Sequence, residues 1–158
     1  LIDAVYNQSN ITVAILDNST TGMTGHQHHP ATGKTLMGAD AAVLDLEGLC
    51  RSIGVQDLKV VDPFDLKAVD AALRDSLGRD GVSVIIFRRP CALLPGQPKQ
   101  SLCFVNTGKC RKCKACLRIG CPAIEAAHDG VNVNSTLCTG CGLCIQMCAF
   151  GAIEKEGR

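Results

Sequence analysis

Cysteines are the residues of this sequence with the clearest capacity for chemistry, and nine of the eleven lie between Cys103 and Cys148. Six of them form two triplets of C-x2-C-x2-C spacing, in which the second triplet follows the first by 28 residues: Cys110, Cys113, Cys116 and Cys138, Cys141, Cys144. Each triplet is followed by a fourth cysteine, Cys121 or Cys148. Two spacer residues let a backbone curl around three corners of an iron–sulfur cube, so the spacing predicts two [4Fe–4S] clusters. Such clusters transfer one electron at a time.

The region 101–158 resembles the bacterial two-cluster ferredoxins, in which the fourth cysteine of each run binds the other cluster. The resemblance implies one cluster held by Cys110, Cys113, Cys116 and Cys148. It implies a second cluster held by Cys138, Cys141, Cys144 and Cys121. Two features depart from the family pattern: one extra residue precedes Cys121, and Ala149 replaces the usual proline. Structural zinc is the alternative, but zinc sites favour two separated C-x2-C pairs over tandem triplets.

Basic residues crowd the first triplet, namely Lys109, Arg111, Lys112, Lys114 and Arg118. They would offset the negative charge of a cluster, raise its potential or dock an acidic partner. The alternative is an ordinary solvated basic face. Among the remaining cysteines, Cys50 lies on an apolar helical stripe and is expected in the core. Cys91 and Cys103 receive no role.

The first part of the chain alternates strand and helix patterns. Apolar runs at 11–16, 58–61 and 82–87 predict strands, and the first and third read as buried on both faces. A short helix precedes them at 1–7, and a second is expected at 45–53 with Asp45 as its cap. A third is expected to begin at Asp62-Pro63 and to bury a stripe that ends at Leu77. This alternation predicts an α/β fold with a parallel sheet. A proline-rich stretch at 93–100 predicts a linker.

A long loop rich in Gly, Thr and His follows the first strand. Gly33, Lys34 and Thr35 suggest a phosphate-binding P-loop, but that motif requires Gly where His28 stands. Metal binding by His26, His28 and His29 is a second alternative, although adjacent residues of an extended chain point to opposite sides. An ordinary surface connection is a third. The fourth rests on position, because ligands bind at the carboxyl ends of parallel strands, where Asp17 and Asn18 lie.

The segment "ILDNSTTGMTGHQ" resembles the end of the thiamine diphosphate motif of the 2-oxoacid:ferredoxin oxidoreductases, and in particular the α subunit of the indolepyruvate type. The two-cluster region matches that family as well. The resemblance implies that Asn18 binds Mg²⁺ through its side chain and Thr20 through its carbonyl. It also implies that the diphosphate and substrate pocket is lined by Gly22, Met23, Thr24, Gly25 and Gln27. Residues 1–92 would then be the C-terminal half of a thiamine-diphosphate-binding domain, and 101–158 a small α+β ferredoxin domain.

The resemblance further implies CoA-dependent oxidative decarboxylation of an arylpyruvate. Electrons would pass through the two clusters to ferredoxin, and a second (β) subunit is expected. A non-catalytic electron carrier, or a relative that acts on pyruvate or another 2-oxoacid, are the alternatives. The family's Gly-Asp pair and cofactor-activating Glu are absent from residues 1–158. We therefore expect this chain to be a piece of a longer protein.

Charge and hydropathy limit the partners. The formal net charge is +1, which predicts no general affinity for nucleic acid or membrane surfaces. No apolar run is long enough to span a bilayer, and no signal-peptide pattern occurs at the N-terminus. We therefore expect a cytoplasmic protein, in which dense cysteines serve as metal ligands and not as disulfides.

Overall fold

The computed structural model describes residues 1–23, 25–96 and 100–157. The chain divides into two compact units, Leu1–Pro95 and Gly96–Arg158. Part of the expected linker, residues 97–99, lies outside the described residues. None of the described helices is long and apolar enough to cross a membrane.

The first unit contains a parallel three-stranded sheet. Its strands are β1 (Ile11–Asp17), β2 (Asp57–Val61) and β3 (Val82–Arg88), in the order β1-β3-β2. The short helix α1 (Ile2–Tyr6) precedes β1, while α2 (Leu46–Ser52) and α3 (Leu66–Leu77) make the crossovers. The predicted α/β alternation is therefore confirmed. Because the three strands are parallel, their carboxyl ends all lie at the same edge of the sheet.

The central strand is β3, and it alone of the three is buried along most of its length. Val84, Ile85 and Ile86 are fully inaccessible to solvent. The prediction that β1 is buried on both faces is wrong, since Ile11 is 41% and Leu16 76% exposed. β1 is an edge strand of the described sheet, so one of its sides lacks a neighbouring strand.

Helix α3 ends at Leu77 as expected, but its N-cap and its buried face differ from the prediction. Its N-cap is Asp65, whose side chain accepts a hydrogen bond from the backbone N–H of Ala68. Asp62 instead closes the turn before the helix by accepting from the N–H of Phe64. Leu77 is 70% exposed, because the buried face runs through Ala72 and Ser76. The cap of α2 is Asp45, as predicted.

The second unit consists of two similar halves. The first half contains β4 (Cys103–Val105), a 3-10 helix (Ala115–Ile119) and β5 (Ile124–Ala127). The second repeats this order with β6 (Gly130–Val133), α4 (Leu143–Met147) and β7 (Ile153–Lys155). Strand β4 pairs with β7, and β5 pairs with β6, both antiparallel. Each half therefore exchanges a strand with the other, as a pseudo-twofold repeat requires.

The extra residue before Cys121 is absorbed by a local change in the first half. Where the second half has α4, the first has a 3-10 helix that ends at Gly120. Gly120 adopts a left-handed conformation with φ of 67°, which glycine permits without steric cost. The longer spacer thus alters the helix and still delivers Cys121 to the interior.

Replacing Ile86 by Ala will lower the free energy of unfolding by about 2–5 kcal/mol, because it leaves a cavity on the central strand. Leu77→Ala is the matched control, and it will change that free energy by about 0.5 kcal/mol or less because Leu77 is exposed. Urea unfolding followed by circular dichroism measures both. Equal losses would contradict the assignment of β3 as the core strand.

Candidate cluster and cofactor sites

Four predicted ligands of the second cluster line one cavity. The cavity has a volume of about 260 Å³, and its walls include Cys121 from the first half together with Cys138, Cys141 and Cys144. A fifth thiol, that of Cys103, lines the same cavity. The structure therefore brings Cys121 to the triplet of the other half, as the crossed ligand assignment requires.

The other four predicted ligands surround a second, narrower cavity. Its walls include Cys110, Cys113, Cys116 and Cys148. Here the fourth thiol again comes from the opposite half of the repeat. The two sets of thiols are thus separate, and each is complete for a cubane cluster.

Backbone N–H groups point at several of these sulfur atoms. Gly140 N donates to Cys138 Sγ at 3.4 Å, and Ala152 N donates to Cys148 Sγ at 3.2 Å. Burial alone would raise the pKa of the Cys148 thiol, but hydrogen bonds from the backbone of Ala152 and Phe150 outweigh it and lower this pKa. Amide donors of this kind stabilise a thiolate, the form in which cysteine binds metal.

The innermost thiols resist ionisation without a metal. Burial, with the neighbouring thiols of Cys103 and Cys141, raises the pKa of Cys144 to about 12. Burial also raises the pKa of Cys116, and the nearby Cys148 thiol adds to the effect. Positive iron removes this obstacle by neutralising the thiolates, so metal binding here must release protons.

A single metal ion fits these residues less well than a cluster does. Across the described ranges, no three His, Cys, Asp or Glu side chains converge as the ligands of one ion must. A cubane holds its four thiolates at separate corners, so they need not meet at one point. The arrangement of four thiols around each cavity fits a cluster.

At the carboxyl edge of the sheet, Asn18 is fixed by hydrogen bonds at both its side chain and its backbone. Its Oδ1 accepts from Thr20 N at 3.1 Å, and its backbone oxygen accepts from Cys91 N at 2.9 Å. The backbone at Ser19 between them is left-handed, with φ of 60°. A non-glycine residue in this conformation is strained, and such strain often accompanies a functional site. The donor set at Asn18 and Thr20, an amide oxygen and a carbonyl, suits Mg²⁺.

Arg88 bridges the carboxylates of Asp17 and Glu47 at the start of this loop. Arg88 donates from Nε to Asp17 Oδ2 at 2.9 Å and from Nη1 to Glu47 Oε1, also at 2.9 Å. The hydrogen bonds to Asp17 and Glu47 raise the pKa of Arg88, so its charge is constant. Because Asp17 and Arg88 are register partners on β1 and β3, the ion pair aligns the two strand ends from which the loop departs.

Thr21 and Gln27 pair as an antiparallel hairpin beyond Asn18, and the predicted lining residues lie in this part of the chain. Thr21 N donates to the backbone oxygen of Gln27 at 2.9 Å, and the buried Thr20 hydroxyl donates to the same oxygen at 3.4 Å. Gly22, Met23 and Gly25 lie in the exposed turn of this hairpin. Thr24 lies outside the described residues. A cavity of about 450 Å³ opens beside the hairpin, with Asn18 and Thr20 in its wall.

Two other interpretations of the loop, metal binding by its histidines and a P-loop, find no support in its geometry. The His29 side chain caps a 3-10 helix, Pro30–Thr32, and His28 contacts the hydroxyl of Thr32. Lys34 forms an ion pair with Asp40. The segment around Gly33 neither follows a strand directly nor opens a helix, as a P-loop does.

Sequence reasoning missed three residues at these sites. Arg88 and Glu47 orient the loop but carry no motif, so only the fold reveals them. Cys103 lies among the thiols of the second set, where Cys103 N donates to Cys138 Sγ at 3.5 Å. The sequence does contain a sign of this position, because Cys103 lies 28 residues before Val131, which is the displacement that relates the two triplets.

Two protein-family models match the chain. The C-terminal TPP-binding domain of thiamine pyrophosphate enzymes matches residues 1–87, and a 4Fe-4S binding domain matches residues 131–154. The first match contains the loop after β1. The second contains one cysteine triplet together with Cys148.

Curated relatives match nearly the whole chain. The indolepyruvate oxidoreductase subunit IorA of Pyrococcus horikoshii is 41% identical over 98% of this chain and 25% of the relative. The subunits of that name from Archaeoglobus fulgidus and Methanothermobacter marburgensis are 38% and 36% identical, over 98% and 100% of this chain and 26% of each relative. The chain thus spans about a quarter of the length of these relatives.

Paired substitutions will test which thiols share a cluster. Anaerobically purified unmodified protein should be brown and contain about eight iron and eight sulfide per chain. The single variants should each retain about four iron per chain: Cys113→Ala, Cys121→Ala and Cys141→Ala. The Cys121→Ala/Cys141→Ala double variant should also retain about four iron, because both residues serve one cluster. Cys113→Ala/Cys121→Ala should lose both clusters.

Cys91→Ala is the control for these variants, because Cys91 lines neither thiol cavity. Iron and sulfide analysis measures every outcome. Colourless protein that contains zinc, or loss of all iron from Cys121→Ala/Cys141→Ala, would contradict the assignment.

Proposed function

Because this chain belongs to the thiamine pyrophosphate enzymes and its relatives are indolepyruvate oxidoreductase subunits, we propose that it is the C-terminal part of a 2-oxoacid:ferredoxin oxidoreductase. The observation that carries the proposal is the presence in one chain of the loop at Asn18 and of two complete sets of cluster thiols. The reaction is CoA-dependent oxidative decarboxylation of an arylpyruvate. Its electrons leave through the clusters to ferredoxin.

The loop after β1 serves the cofactor. Thiamine diphosphate, when bound, supplies the carbanion chemistry that a 2-oxoacid needs. The side-chain oxygen of Asn18 and the carbonyl of Thr20 would hold Mg²⁺, and Gly22, Met23, Thr24, Gly25 and Gln27 would line the diphosphate and substrate. The Arg88 bridge to Asp17 keeps Asn18 at the strand end.

The thiols of the second unit carry the electrons. One cluster is bound by Cys110, Cys113, Cys116 and Cys148, and the other by Cys138, Cys141, Cys144 and Cys121. Two one-electron centres suit this reaction, because decarboxylative oxidation releases two electrons and ferredoxin accepts them singly. The division into 1–92, a linker at 93–100 and 101–158 separates these tasks.

The rest of the enzyme covers the loop. Strand β1, the turn of the hairpin and the segment after it expose large apolar side chains, among them Leu16, Met23 and Met37. An exposed group of this kind favours an interface with further protein. We propose that the remaining part of the longer polypeptide and a second (β) subunit contact this edge of the sheet.

Asn18→Ala in the full-length protein will abolish tight binding of thiamine diphosphate with Mg²⁺ and will leave the iron content unchanged. Titration calorimetry measures the binding, and CoA-dependent reduction of ferredoxin by indolepyruvate measures activity. Asn10→Ala is the control, because Asn10 precedes β1 and bonds to Asp80 at the opposite edge of the sheet. Equal affinity in Asn18→Ala would argue against the cofactor site.

The main alternative is an electron carrier without catalysis. It predicts full clusters but no binding of thiamine diphosphate and no oxidation of any 2-oxoacid by the complete enzyme. A substrate panel of arylpyruvates, pyruvate and aliphatic 2-oxoacids distinguishes this alternative, and it also identifies a relative with a different substrate.

Two lysines beside the first triplet adopt a backbone conformation that favours glycine. Lys112 and Lys114 have φ of 55° and 58°, and the repeat places Gly140 and Gly142 at the same positions in the second half. A non-glycine residue there costs about 1–2 kcal/mol. Lys112 pairs with Asp129 at 2.8 Å, whereas Lys114 is exposed at the rim of the cavity. We propose that Lys114 is retained because it docks the acidic electron acceptor.

Lys114→Gln will slow electron transfer to an acidic ferredoxin by about two- to tenfold at low salt, because it weakens electrostatic steering. The difference will shrink at high salt. Lys67→Gln is the control, since it removes an equal charge from the exposed face of α3. Lys114→Gly distinguishes a docking role from a folding role. This variant relieves the backbone strain, so the free energy of unfolding should stay the same or rise, while the rate of electron transfer should still fall. Unchanged rates in both Lys114 variants would refute docking.

A further inference from the structure

The second thiol cavity contains one cysteine more than a cubane has corners. Cys103 is 4% exposed and lines this cavity with the four proposed ligands. Cys103 and Cys144 belong to the same buried cluster, against which Cys138 packs, and the backbone N–H of Cys103 donates to Cys138 Sγ at 3.5 Å. Cys103 therefore lies beside two of the cysteines that would bind iron.

The repeat gives this thiol a counterpart without sulfur. Cys103 on β4 and Val131 on β6 are 28 residues apart, the same displacement that relates the two triplets. Val131 lines the first cavity as Cys103 lines the second. The two sites thus have the same four-cysteine ligand set and differ at this wall position, where one has a thiol and the other a methyl-bearing side chain.

The symmetry also argues that Cys103 is not itself a ligand. The first set is complete with four thiols although valine occupies the equivalent position. In the second set Cys121 supplies the fourth thiol from the opposite half of the repeat, as Cys148 does in the first set. With four corners already taken, the Cys103 thiol is left without an iron to bind, and ligand sulfurs line the same cavity as possible acceptors.

We propose that Cys103 is a positioning residue that donates an S–H hydrogen bond to the ligand sulfurs of the second cluster and raises its reduction potential relative to the first. The inference rests on the proposed binding of two clusters. On reduction the cluster gains one electron, no bond to iron breaks, and the proton stays on Cys103. The added negative charge strengthens the hydrogen bond, so the donor stabilises the reduced state more than the oxidised state.

This asymmetry affects the route of electrons within the protein. In the one-electron-reduced enzyme, the donor draws the electron toward the cluster of Cys138, Cys141, Cys144 and Cys121. The methyl groups of Val131 provide no such stabilisation at the other cluster. This difference between Cys103 and Val131 therefore contributes to an inequality between the two centres.

Three variants of the full-length protein test the proposal by redox titration monitored by electron paramagnetic resonance. Cys103→Val copies the wall of the first site, and it should lower the potential of one cluster. The equilibrium constant for the distribution of one electron between the two clusters should change by about threefold to tenfold. At 59 mV per tenfold change for one electron, this corresponds to a potential shift of about 28–59 mV. Val131→Cys copies the wall of the second site, and it should raise the potential of the other cluster. Cys103→Ser keeps a donor and should retain a potential nearer to the original.

Iron and sulfide analysis of the same samples separates the possible failures. If the unmodified protein lacks two clusters, the proposed function fails before this inference is tested. If both clusters are present and Cys103→Val leaves both potentials unchanged, the inference is overturned. Loss of about four iron from Cys103→Val, with Cys103→Ser also depleted, would make Cys103 a ligand and overturn it as well. Should Cys103→Val fold poorly, Val131→Cys alone decides, because a raised potential there supports the donor effect and an unchanged potential refutes it.

Discussion

Like-charged sulfur atoms in a small protein core impose the main constraint on the second unit. Its buried residues include Cys103, Cys116 and Cys144, and Cys121, Cys138 and Cys148 pack against them. The surrounding sheets are two-stranded ribbons of three or four residues per strand, which have little stability alone. Iron would neutralise the thiolates and join the two halves through the crossed fourth ligands. Cluster binding and folding are therefore coupled in this unit.

The pseudo-twofold repeat explains both the similarity of the two sites and their differences. Exchange of strands between the halves carries Cys121 and Cys148 into each other's cavities, so a displacement in sequence becomes a crossing in space. The symmetry breaks at positions that touch the sites. Lysines replace glycines at the rim of one cavity, and a thiol replaces valine in the wall of the other. These substitutions affect charge and hydrogen bonding more than shape, so the same fold supports two unequal centres.

In the first unit, the parallel ladder between β1 and β3 continues past the strand ends. Arg89 N donates to the backbone oxygen of Asp17 at 3.0 Å, and Cys91 N donates to that of Asn18. The Arg88 bridge to Asp17 and Glu47 reinforces this alignment with charge. Asn18 is thus held by the sheet although it belongs to a loop. The exposed edge of β1 and the exposed Met23 of the hairpin agree with a chain that spans about a quarter of its relatives.

The sequence by itself determined the cluster thiols, the parallel strands and the loop at Asn18, because spacing, alternation and motif are local properties. The crossed pairing of thiols was implied by the resemblance to two-cluster ferredoxins, and the ligand assignment stays a prediction. Only the tertiary structure decided that β1 is an edge, that Asp65 and not Asp62 caps α3, and that Arg88 fixes the loop. The position of Cys103 beside Cys138 and Cys144 was decided there too. Apart from the Asp65 cap, which is a local contact, these features depend on which distant residues meet. Burial and hydrogen-bond partners across 30 or more residues leave no periodic signal in a single sequence.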